Sequence, residues 1–302
     1  MKILVVGGTG MIGGHAAMYL EQQGHEITVA ARKAPAVGTP MASMGLLVGD
    51  YTKDEFSIDQ LRGFDALVFA AGHDVRHIPE DEDNQTYWDR VNSEAIPRFF
   101  EKAREAGIGR AVYVGSFYPQ IAPELIETIP YIRSRHVADE GVRALATADF
   151  SVCSVNAPFV LGAVPGLPNP MFEAYTAYAA GQMEGIQAFG PAGGTNFISC
   201  QSLSEAIWGA LQRGKPGAAY LVGDENLGFA EYFELFFRAA GNTAEVPALD
   251  QEHPLLPDAV IFTGRGTVVS YEPDAGETAL LGYRRNDVKR AVEEIVSQCL
   301  LQ

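Results

Sequence analysis

The chain has few cysteines, few basic residues and no long apolar run. Its three cysteines, Cys153, Cys200 and Cys299, are far apart and in no metal-ligand spacing, which favours a reduced compartment with inert thiols. Lysine and arginine total 22 against 38 acidic residues, and the net charge of −16 argues against nucleic-acid partners and anionic membranes. No window approaches the roughly 20 apolar residues of a membrane helix, and the apolar run after Lys2 is too short for a signal peptide. We therefore expect a soluble, cytoplasmic protein.

Strand-like and helix-like segments alternate through the first half of the chain. Helices are expected after the first strand, ending at Gly24, then around 87–106, and again from Thr128 and Pro130. The predicted buried strands are 2–6, 26–31, 45–49, 65–72, 110–116 and 150–158. This alternation predicts an α/β fold of the Rossmann type, a doubly wound parallel sheet covered by helices on both faces.

The alternation breaks after about residue 160, at the stretch LGAVPGLPNP, which is rich in proline and glycine. Scattered elements follow, with strands at 195–199 and 218–223 and helices at 202–213, 229–240 and 286–300. We predict a Rossmann domain over 1–160. Residues 161–302 are expected to form a smaller substrate-covering region without an independent core, some of its elements returning to the Rossmann sheet.

A glycine-rich loop, VVGGTGMIGGH, joins the first strand to the first helix. Gly7 permits a tight turn, Gly10 lets the backbone approach a pyrophosphate, and Gly13 lets the helix pack closely. The free N–H groups and dipole of the helix attract the anion. The loop therefore predicts dinucleotide binding. Its expected contact residues are Gly7, Thr9, Gly10, Met11, Ile12 and Gly13.

The end of the second strand selects between the two nicotinamide cofactors. NAD-binding sites usually place an acid there for the ribose hydroxyls, whereas an arginine accepts the 2′-phosphate of NADP. Here Ala31 is followed by Arg32 and Lys33, with no acid. Two cations suit a phosphate dianion, so NADP(H) is favoured over NAD(H). The alternative is that Arg32 is simply an exposed cation at a strand end.

Motifs in the first 160 residues resemble those of the extended short-chain dehydrogenase/reductase family, which includes epimerases and dehydratases. The resemblance continues more loosely through NAPFVLG (156–162) and residues 196–211. The matching motifs, in family order, are ILVVGGTGMIGGH, Gly49–Asp50, FAAG (69–72), VYVGS (112–116) and Tyr131-x-x-Ser134-Arg135.

The resemblance implies further cofactor contacts. Asp50 looks like the acid at the adenine edge, and Asn92 is similar to the asparagine that steadies the catalytic helix. Both have plainer alternatives, a helix cap for Asp50 and a satisfied buried amide for Asn92. The loop under the ribose and the segment beside the nicotinamide amide complete the set, which adds Ala70, Ala71, Gly72, Pro158 and Phe159.

The resemblance also implies a catalytic set of Ser116, Tyr131 and Arg135. Ser116 would orient a substrate carbonyl, and Tyr131 would exchange its proton. A tyrosine hydroxyl with a pKa near 10 serves poorly at neutral pH, so a fixed cation beside it is needed. The family uses a lysine four residues after the tyrosine, where this chain has Arg135. Arginine stays charged but places its donors differently, so three outcomes stay open: an adequate substitute, a slow site, or a silent binder.

The expected substrate is a small, hydrophobic carbonyl or alcohol. Residues 160–200 contain neither arginine nor lysine, which counts against a sugar nucleotide. The expected lining is His73, Phe117, Asn156 and Phe197, although apolar residues of this kind also fit an ordinary core. His73 and His77 have metal-ligand spacing but no third ligand, so no metal is expected.

Two hypotheses result: an NADP(H)-dependent oxidoreductase, or a catalytically silent NADP(H)-binding sensor. An epimerase or dehydratase is less favoured, because those reactions retain tightly bound cofactor and usually prefer NAD. The expected partner is a small-molecule substrate, and the sequence leaves open whether two copies of the chain form a homodimer.

Overall fold

The computed structural model describes residues 1–73, 78–79 and 82–301. Its strands are β1 (Lys2–Val6), β2 (Glu26–Ala31), β3 (Gly45–Val48), β4 (Ala66–Phe69), β5 (Arg110–Ser116), β6 (Ser151–Ala157), β7 (Phe159–Leu161), β8 (Gly190–Pro191), β9 (Gly194–Ser199), β10 (Ala219–Leu221), β11 (Glu225–Gly228) and β12 (Ala248–Leu249). Its α-helices are α1 (Met11–Gln22), α2 (Ile58–Leu61), α3 (Asn84–Trp88), α4 (Ala95–Glu105), α5 (Tyr118–Ile121), α6 (Pro130–Ala144), α7 (Pro170–Ala179), α8 (Cys200–Arg213), α9 (Phe229–Ala239), α10 (Ala275–Leu281) and α11 (Val288–Leu300).

The central sheet has seven strands in the order β10-β6-β5-β4-β1-β2-β3. All six pairings are parallel. Strand β4 is buried along its whole length, as expected where helices cover both faces. The order reverses beside β1, and open α/β sheets bind ligands where this happens. The predicted Rossmann-type fold is confirmed.

Apolar side chains fill both faces of this sheet. On one face α1 and α8 pack on alternate strand residues such as Val5, Val29 and Val155. On the other face α4 and α6 pack on residues such as Leu4 and Leu67. Since successive side chains of a strand point to opposite faces, one apolar strand supplies both cores.

The second half of the chain has a core of its own, so the expectation of none was wrong. Aromatic residues of α7 and α9, including Tyr175, Phe233 and Phe236, pack with α11 and with β7 and β9. The antiparallel pair β11–β9 and the parallel pair β9–β7 form a three-stranded sheet within this region. Strand β10, in contrast, pairs with β6 in the central sheet. Within the described residues, no helix is both long and apolar enough to cross a membrane.

Two predicted helices differ from the structure in detail. Helix α6 begins at Pro130, but the residue before it, Ile129, occupies the cap position without a side-chain hydrogen bond. The prediction that Thr128 helps to open this helix was therefore wrong, whereas Pro130 is its first residue. Proline at the first position suffices, since its fixed φ angle suits a helix and its missing N–H would be unpaired there. The helix predicted around 87–106 is divided by a π-helical segment, Asp89–Glu94, between α3 and α4.

Candidate functional site

The glycine loop between β1 and α1 is shaped by close backbone contacts. Gly7 has a φ angle of +80°, and a Cβ there would lie 2.7 Å from the Ala71 backbone. A Cβ on Gly13 would lie 2.3 Å from the Gly7 carbonyl oxygen, so only glycine allows α1 this close to the loop. Gly10 differs, because its nearest neighbour would be 3.5 Å away. Gly10 therefore leaves space above the loop that the fold itself does not require.

A cleft of about 220 Å³ opens above this loop, at the carboxyl ends of β1, β2 and β4. Eight of the predicted cofactor or substrate residues line it: Gly7, Thr9, Gly10, Arg32, Ala70, Ala71, Gly72 and His73. Sequence reasoning missed six more, Val6, Ala30, Ala31, Gly49, Tyr51 and Phe56. Of these, Tyr51 had a signal that could have been used, because it directly follows Gly49–Asp50 at a strand end.

The other predicted cofactor residues of the loop and strand ends lie outside the cleft wall. Met11 borders a separate cavity of about 20 Å³, with room for little more than one water. Ile12 packs against the core under α1. Lys33 is exposed beside Arg32. Asp50 caps the turn Tyr51–Lys53 by accepting hydrogen bonds from the N–H and hydroxyl of Thr52, which is the plainer alternative.

The fit of a dinucleotide rests on two observations of this cleft. No side chain caps the amino end of α1 and no acid lies in its first turn, so the positive end of that helix is available to a pyrophosphate. Arg32 is exposed on the cleft wall and has no ion-pair or hydrogen-bond partner in the part of the chain that the structure describes. Both features suit an anionic ligand, and the residues present fit the cofactor.

Helix α6 brings the predicted catalytic residues to the same edge of the sheet. Ser134 donates a hydrogen bond to the Tyr131 carbonyl at 2.8 Å and accepts one from Asn92 Nδ2 at 3.0 Å. Asn92 is fully buried in the π-helical segment. Asn92 thus contacts α6 through Ser134, and π-helical turns of this kind are frequent at functional sites.

Arg135 lies buried one turn after Tyr131 and next to Gly72, a residue of the cleft wall. Its Nη2 donates to the Val114 carbonyl at 2.8 Å, and its guanidinium carbon lies 5.2 Å from the centre of the Tyr113 ring. Its Nη1 borders the cleft wall, since a Cβ on Gly72 would come within 3.0 Å of it. The Nε atom is buried with no partner among the described residues.

The electrostatics around Arg135 keep it charged. Burial lowers its pKa, but the phenol groups of Tyr113, Tyr131 and Tyr51 and the Asp139 carboxylate raise it, and the net pKa is above its ordinary value. Burial in turn raises the pKa of Tyr51 and of Tyr113. Those two phenols therefore stay protonated at neutral pH beside the charged guanidinium of Arg135.

Ser116 lies at the end of β5, opposite Ala157 of β6. Its hydroxyl is half-buried and accepts a hydrogen bond of 3.4 Å from the Tyr118 N–H. The next predicted residues are less available. Phe117 is 4% exposed, and the Asn156 amide donates to Gln120 Oε1 at 2.8 Å. Ser116 is thus the accessible polar group at this strand end.

Aromatic rings surround Tyr131, and sequence reasoning missed them. Its ring stacks on Phe262, with centroids 5.1 Å apart and planes 24° apart. Trp88 meets it edge-on at 5.1 Å, and Tyr118 meets Phe262 edge-on at 5.4 Å. No local pattern indicated Phe262, because it lies in an irregular segment far along the chain.

Phe197 was predicted to line the substrate site, and this was wrong. It has no exposed surface and stacks on Tyr232 at 4.5 Å in the core of the second half. Phe159 packs against the same two rings, at 5.3 and 5.7 Å, and Pro158 before it is buried. A strand buried in a core is apolar for packing reasons, and its residues look the same in the sequence as a pocket lining.

His73 lies on the cleft wall, where its Nδ1 contacts the Tyr87 hydroxyl. The second histidine of the weighed metal pair, His77, lies outside the described residues. Across the described ranges, no group of three histidine, cysteine or acidic side chains could hold a metal ion.

Known proteins resemble this chain in sequence family and in fold. The family model described as "NAD dependent epimerase/dehydratase family" matches residues 3–223. No curated protein sequence matches the chain. The solved structure of gox2253 is 20% identical with a TM-score of 0.76, covering 99% of this chain and 97% of that one.

Two sugar-nucleotide enzymes are similarly close in fold. UDP-N-acetylglucosamine 4-epimerase from Bacillus cereus is 17% identical with a TM-score of 0.75, covering 99% of each chain. UDP-glucose-4-epimerase from Stenotrophomonas maltophila, solved with bound NAD, is 19% identical with a TM-score of 0.75, covering 100% of this chain and 98% of that one. At such identities the likeness shows the fold alone.

Proposed function

The chain belongs to the NAD dependent epimerase/dehydratase family, and on that premise we propose that it is a nicotinamide-dinucleotide-dependent oxidoreductase acting at an alcohol or carbonyl carbon. One observation supports this most. Arg135, one turn after Tyr131 on α6, extends its guanidinium to Gly72 on the wall of the cleft above the glycine loop. Arg135 therefore lies one helical turn from Tyr131, the proposed proton-transfer residue, and also beside the wall of the proposed cofactor cleft.

The chain's own residues have distinct tasks in this reaction. When bound, the nicotinamide accepts or supplies the hydride. The Tyr131 hydroxyl gives a proton to the substrate oxygen or takes one from it. Arg135 stabilises the tyrosinate form through its positive charge, and the Ser116 hydroxyl orients the substrate oxygen by a hydrogen bond. Asn92 and Ser134 hold the first turn of α6 in place.

For the cofactor we propose a preference for NADP(H). Support comes from Arg32, which lies on the cleft wall at the end of β2, where no acid is present to bind the ribose hydroxyls of NAD. The family description names NAD, and the Stenotrophomonas epimerase was solved with NAD. The preference therefore rests on this chain's own residues alone.

Sugar-nucleotide epimerisation or dehydration is the second candidate. The comparisons favour it over the hydrophobic carbonyl substrate expected from the sequence, since the family description and the two epimerases point to it. Both candidates use the same oxidation step at a substrate alcohol. They differ in the substrate that the second half of the chain accepts.

A Tyr131→Phe variant tests the proposal against the silent-sensor alternative. We expect it to bind NADPH as the wild type does, measured by nucleotide fluorescence, and to lose turnover by about 100-fold or more in a screen of alcohols, ketones and sugar nucleotides. Tyr118→Phe is the matched control, since it removes a nearby phenol without touching the proton donor. If the wild type binds NADPH but turns over none of these compounds, the sensor reading replaces the enzyme.

A further inference from the structure

Phe262 lies directly over the ring of the proposed proton donor. Together Trp88, Tyr118, Tyr131 and Phe262 form what we call the aromatic box, defined by the ring contacts of 5.1 to 5.4 Å described above. Phe262 is half-buried, so part of its surface is open beside Tyr131. A substrate whose oxygen reaches the Tyr131 hydroxyl must therefore place its neighbouring atoms near these rings.

The segment that presents Phe262 is held at both ends. Arg265, which follows Phe262 in the chain, forms ion pairs with two residues that precede it. These are Asp250, at 3.0 Å, and Asp258, at 3.6 Å. Further on, the Tyr271 hydroxyl donates to the Val222 carbonyl at 2.7 Å. A segment anchored in this way gives Phe262 a defined position, as specificity requires of a pocket residue.

The second half of the chain offers no free arginine for a diphosphate. Arg265 is paired as described, and Arg213 donates to the carbonyls of Leu280 and Leu281. The others form ion pairs, namely Arg238 with Glu234, Arg284 with Glu205, Arg285 with Asp224 and Glu272, and Arg290 with Asp287 and Glu294. Recognition of a diphosphate by an arginine of the second half would require one of these interactions to break.

The two lysines of this half are no better placed. Lys289 lies 3.9 Å from Glu293 on α11. Lys215 is two residues before Gly217, whose N–H donates a hydrogen bond to the Val152 carbonyl at the amino end of β6. The amino ends of the strands lie at the edge of the sheet opposite the cleft. Arg133 follows Tyr131 by two residues, and residues two apart do not share a helix face. Among the described residues of the second half, no lysine or arginine is therefore free to bind a phosphate group beside the aromatic box.

We propose that Phe262 determines substrate specificity, and that the substrate is an uncharged ketone or secondary alcohol with a flat apolar group next to the reacting carbon. This rests on the proposed function and names its substrate class. In reduction, the carbonyl carbon gains the hydride, the oxygen gains the Tyr131 proton, and the cofactor is oxidised. The flat group packs on the exposed part of the Phe262 ring, where offset or edge-on ring contacts are favourable.

The test compares four proteins: wild type, Phe262→Ala, Phe262→Trp and Val268→Ala. Val268 is 59% exposed in the same segment, which makes it the matched control. The probes are acetophenone, given to the NADPH-loaded protein, and the alcohols 1-phenylethanol and UDP-glucose, each given to the NADP⁺-loaded protein. The readouts are the change in reduced nicotinamide absorbance, product analysis of the sugar nucleotide, and NADPH affinity.

We expect turnover of the aryl ketone or alcohol and none of UDP-glucose. Phe262→Ala should lower kcat/KM for the aryl compound about tenfold, and Phe262→Trp should retain more of that activity than Phe262→Ala because it keeps a flat ring. Val268→Ala should be close to wild type, and NADPH affinity should be unchanged throughout. Turnover of UDP-glucose alone, or an aryl activity indifferent to Phe262→Ala, overturns the inference and leaves the oxidoreductase standing. Failure of the wild type to bind any of NADPH, NADP⁺, NADH and NAD⁺ instead overturns the proposed function itself.

Discussion

The guanidinium of Arg135 donates from Nη2 to the carbonyl of Val114 at 2.8 Å. One terminal nitrogen of the guanidinium is thus bonded to β5, while the other, Nη1, lies next to Gly72 on the cleft wall. A lysine ammonium is a single compact group, whereas the forked guanidinium can serve two places at once. An arginine at this position therefore holds the proposed catalytic charge in place by a hydrogen bond to β5.

Replacing Arg135 separates its structural task from its catalytic one. Arg135→Met removes the hydrogen bond to the Val114 carbonyl, which should cost about 1–3 kcal/mol of unfolding free energy, and it removes the charge one turn after Tyr131. Arg135→Lys keeps the charge and should retain far more turnover than the methionine variant. Urea unfolding and steady-state kinetics measure the two effects, with Arg133→Lys as the control. Equal turnover in the methionine and lysine variants would show that the charge is dispensable.

Two glycines of the loop should respond oppositely to alanine. Gly13→Ala places a Cβ 2.3 Å from the Gly7 carbonyl, and such overpacking should cost about 1–3 kcal/mol of stability. Gly10→Ala meets only an ordinary contact of 3.5 Å, so it should fold as the wild type does but bind NADPH weakly, because its methyl lies where the pyrophosphate approaches. Thermal unfolding and NADPH titration distinguish them. A Gly10→Ala protein with normal affinity would place the cofactor elsewhere.

Arg32→Glu tests the choice of cofactor. Losing one charge-assisted hydrogen bond to the 2′-phosphate should weaken NADP⁺ binding by at least about tenfold, while NAD⁺ binding is unchanged or improved by the new ribose acceptor. Arg104→Glu, an exposed substitution in the last turn of α4, makes the same change of net charge away from the cleft. Calorimetric titration with both nucleotides gives the ratio. An unchanged ratio would mean that Arg32 is only a surface cation.

His253 should make stability sensitive to acid. It is fully buried among Tyr178, Phe189 and Phe233, and burial lowers its pKa to about 4. The unfolded chain binds this proton near pH 6.5, so it holds more protons than the folded chain between about pH 6.5 and 4. Stability should therefore fall as the pH decreases through that range, by up to about 1.4 kcal/mol per unit.

His253→Asn removes that titration while its amide oxygen replaces Nδ1 as acceptor for the Leu255 N–H. We expect a less stable protein whose unfolding free energy depends less steeply on pH between about 6.5 and 4. Urea unfolding at a series of pH values gives the slope. The same slope in both proteins would mean that His253 does not titrate as described.

Several features could be predicted because their signals are local. The run KILVV followed by three spaced glycines specified a strand, a tight turn and a helix within 15 residues, and its cleft lies where expected. The caps were harder: Thr128 and Pro130 were predicted to open a helix, yet α6 begins at Pro130 with Ile129 in the cap position. An apolar residue such as Phe197 shows only that it will be buried, and not whether a core or a ligand buries it.

The sequence by itself determined the parallel sheet, the glycine loop and the pairing of Tyr131 with a cation one helical turn later, since each depends on neighbours along the chain. Only the tertiary structure decided what surrounds that tyrosine. Phe262 reaches it from an irregular segment anchored by Arg265 and Tyr271, and Asn92 reaches Ser134 from another helix. Contacts between residues so distant in the chain depend on how whole elements pack, and no local pattern records them.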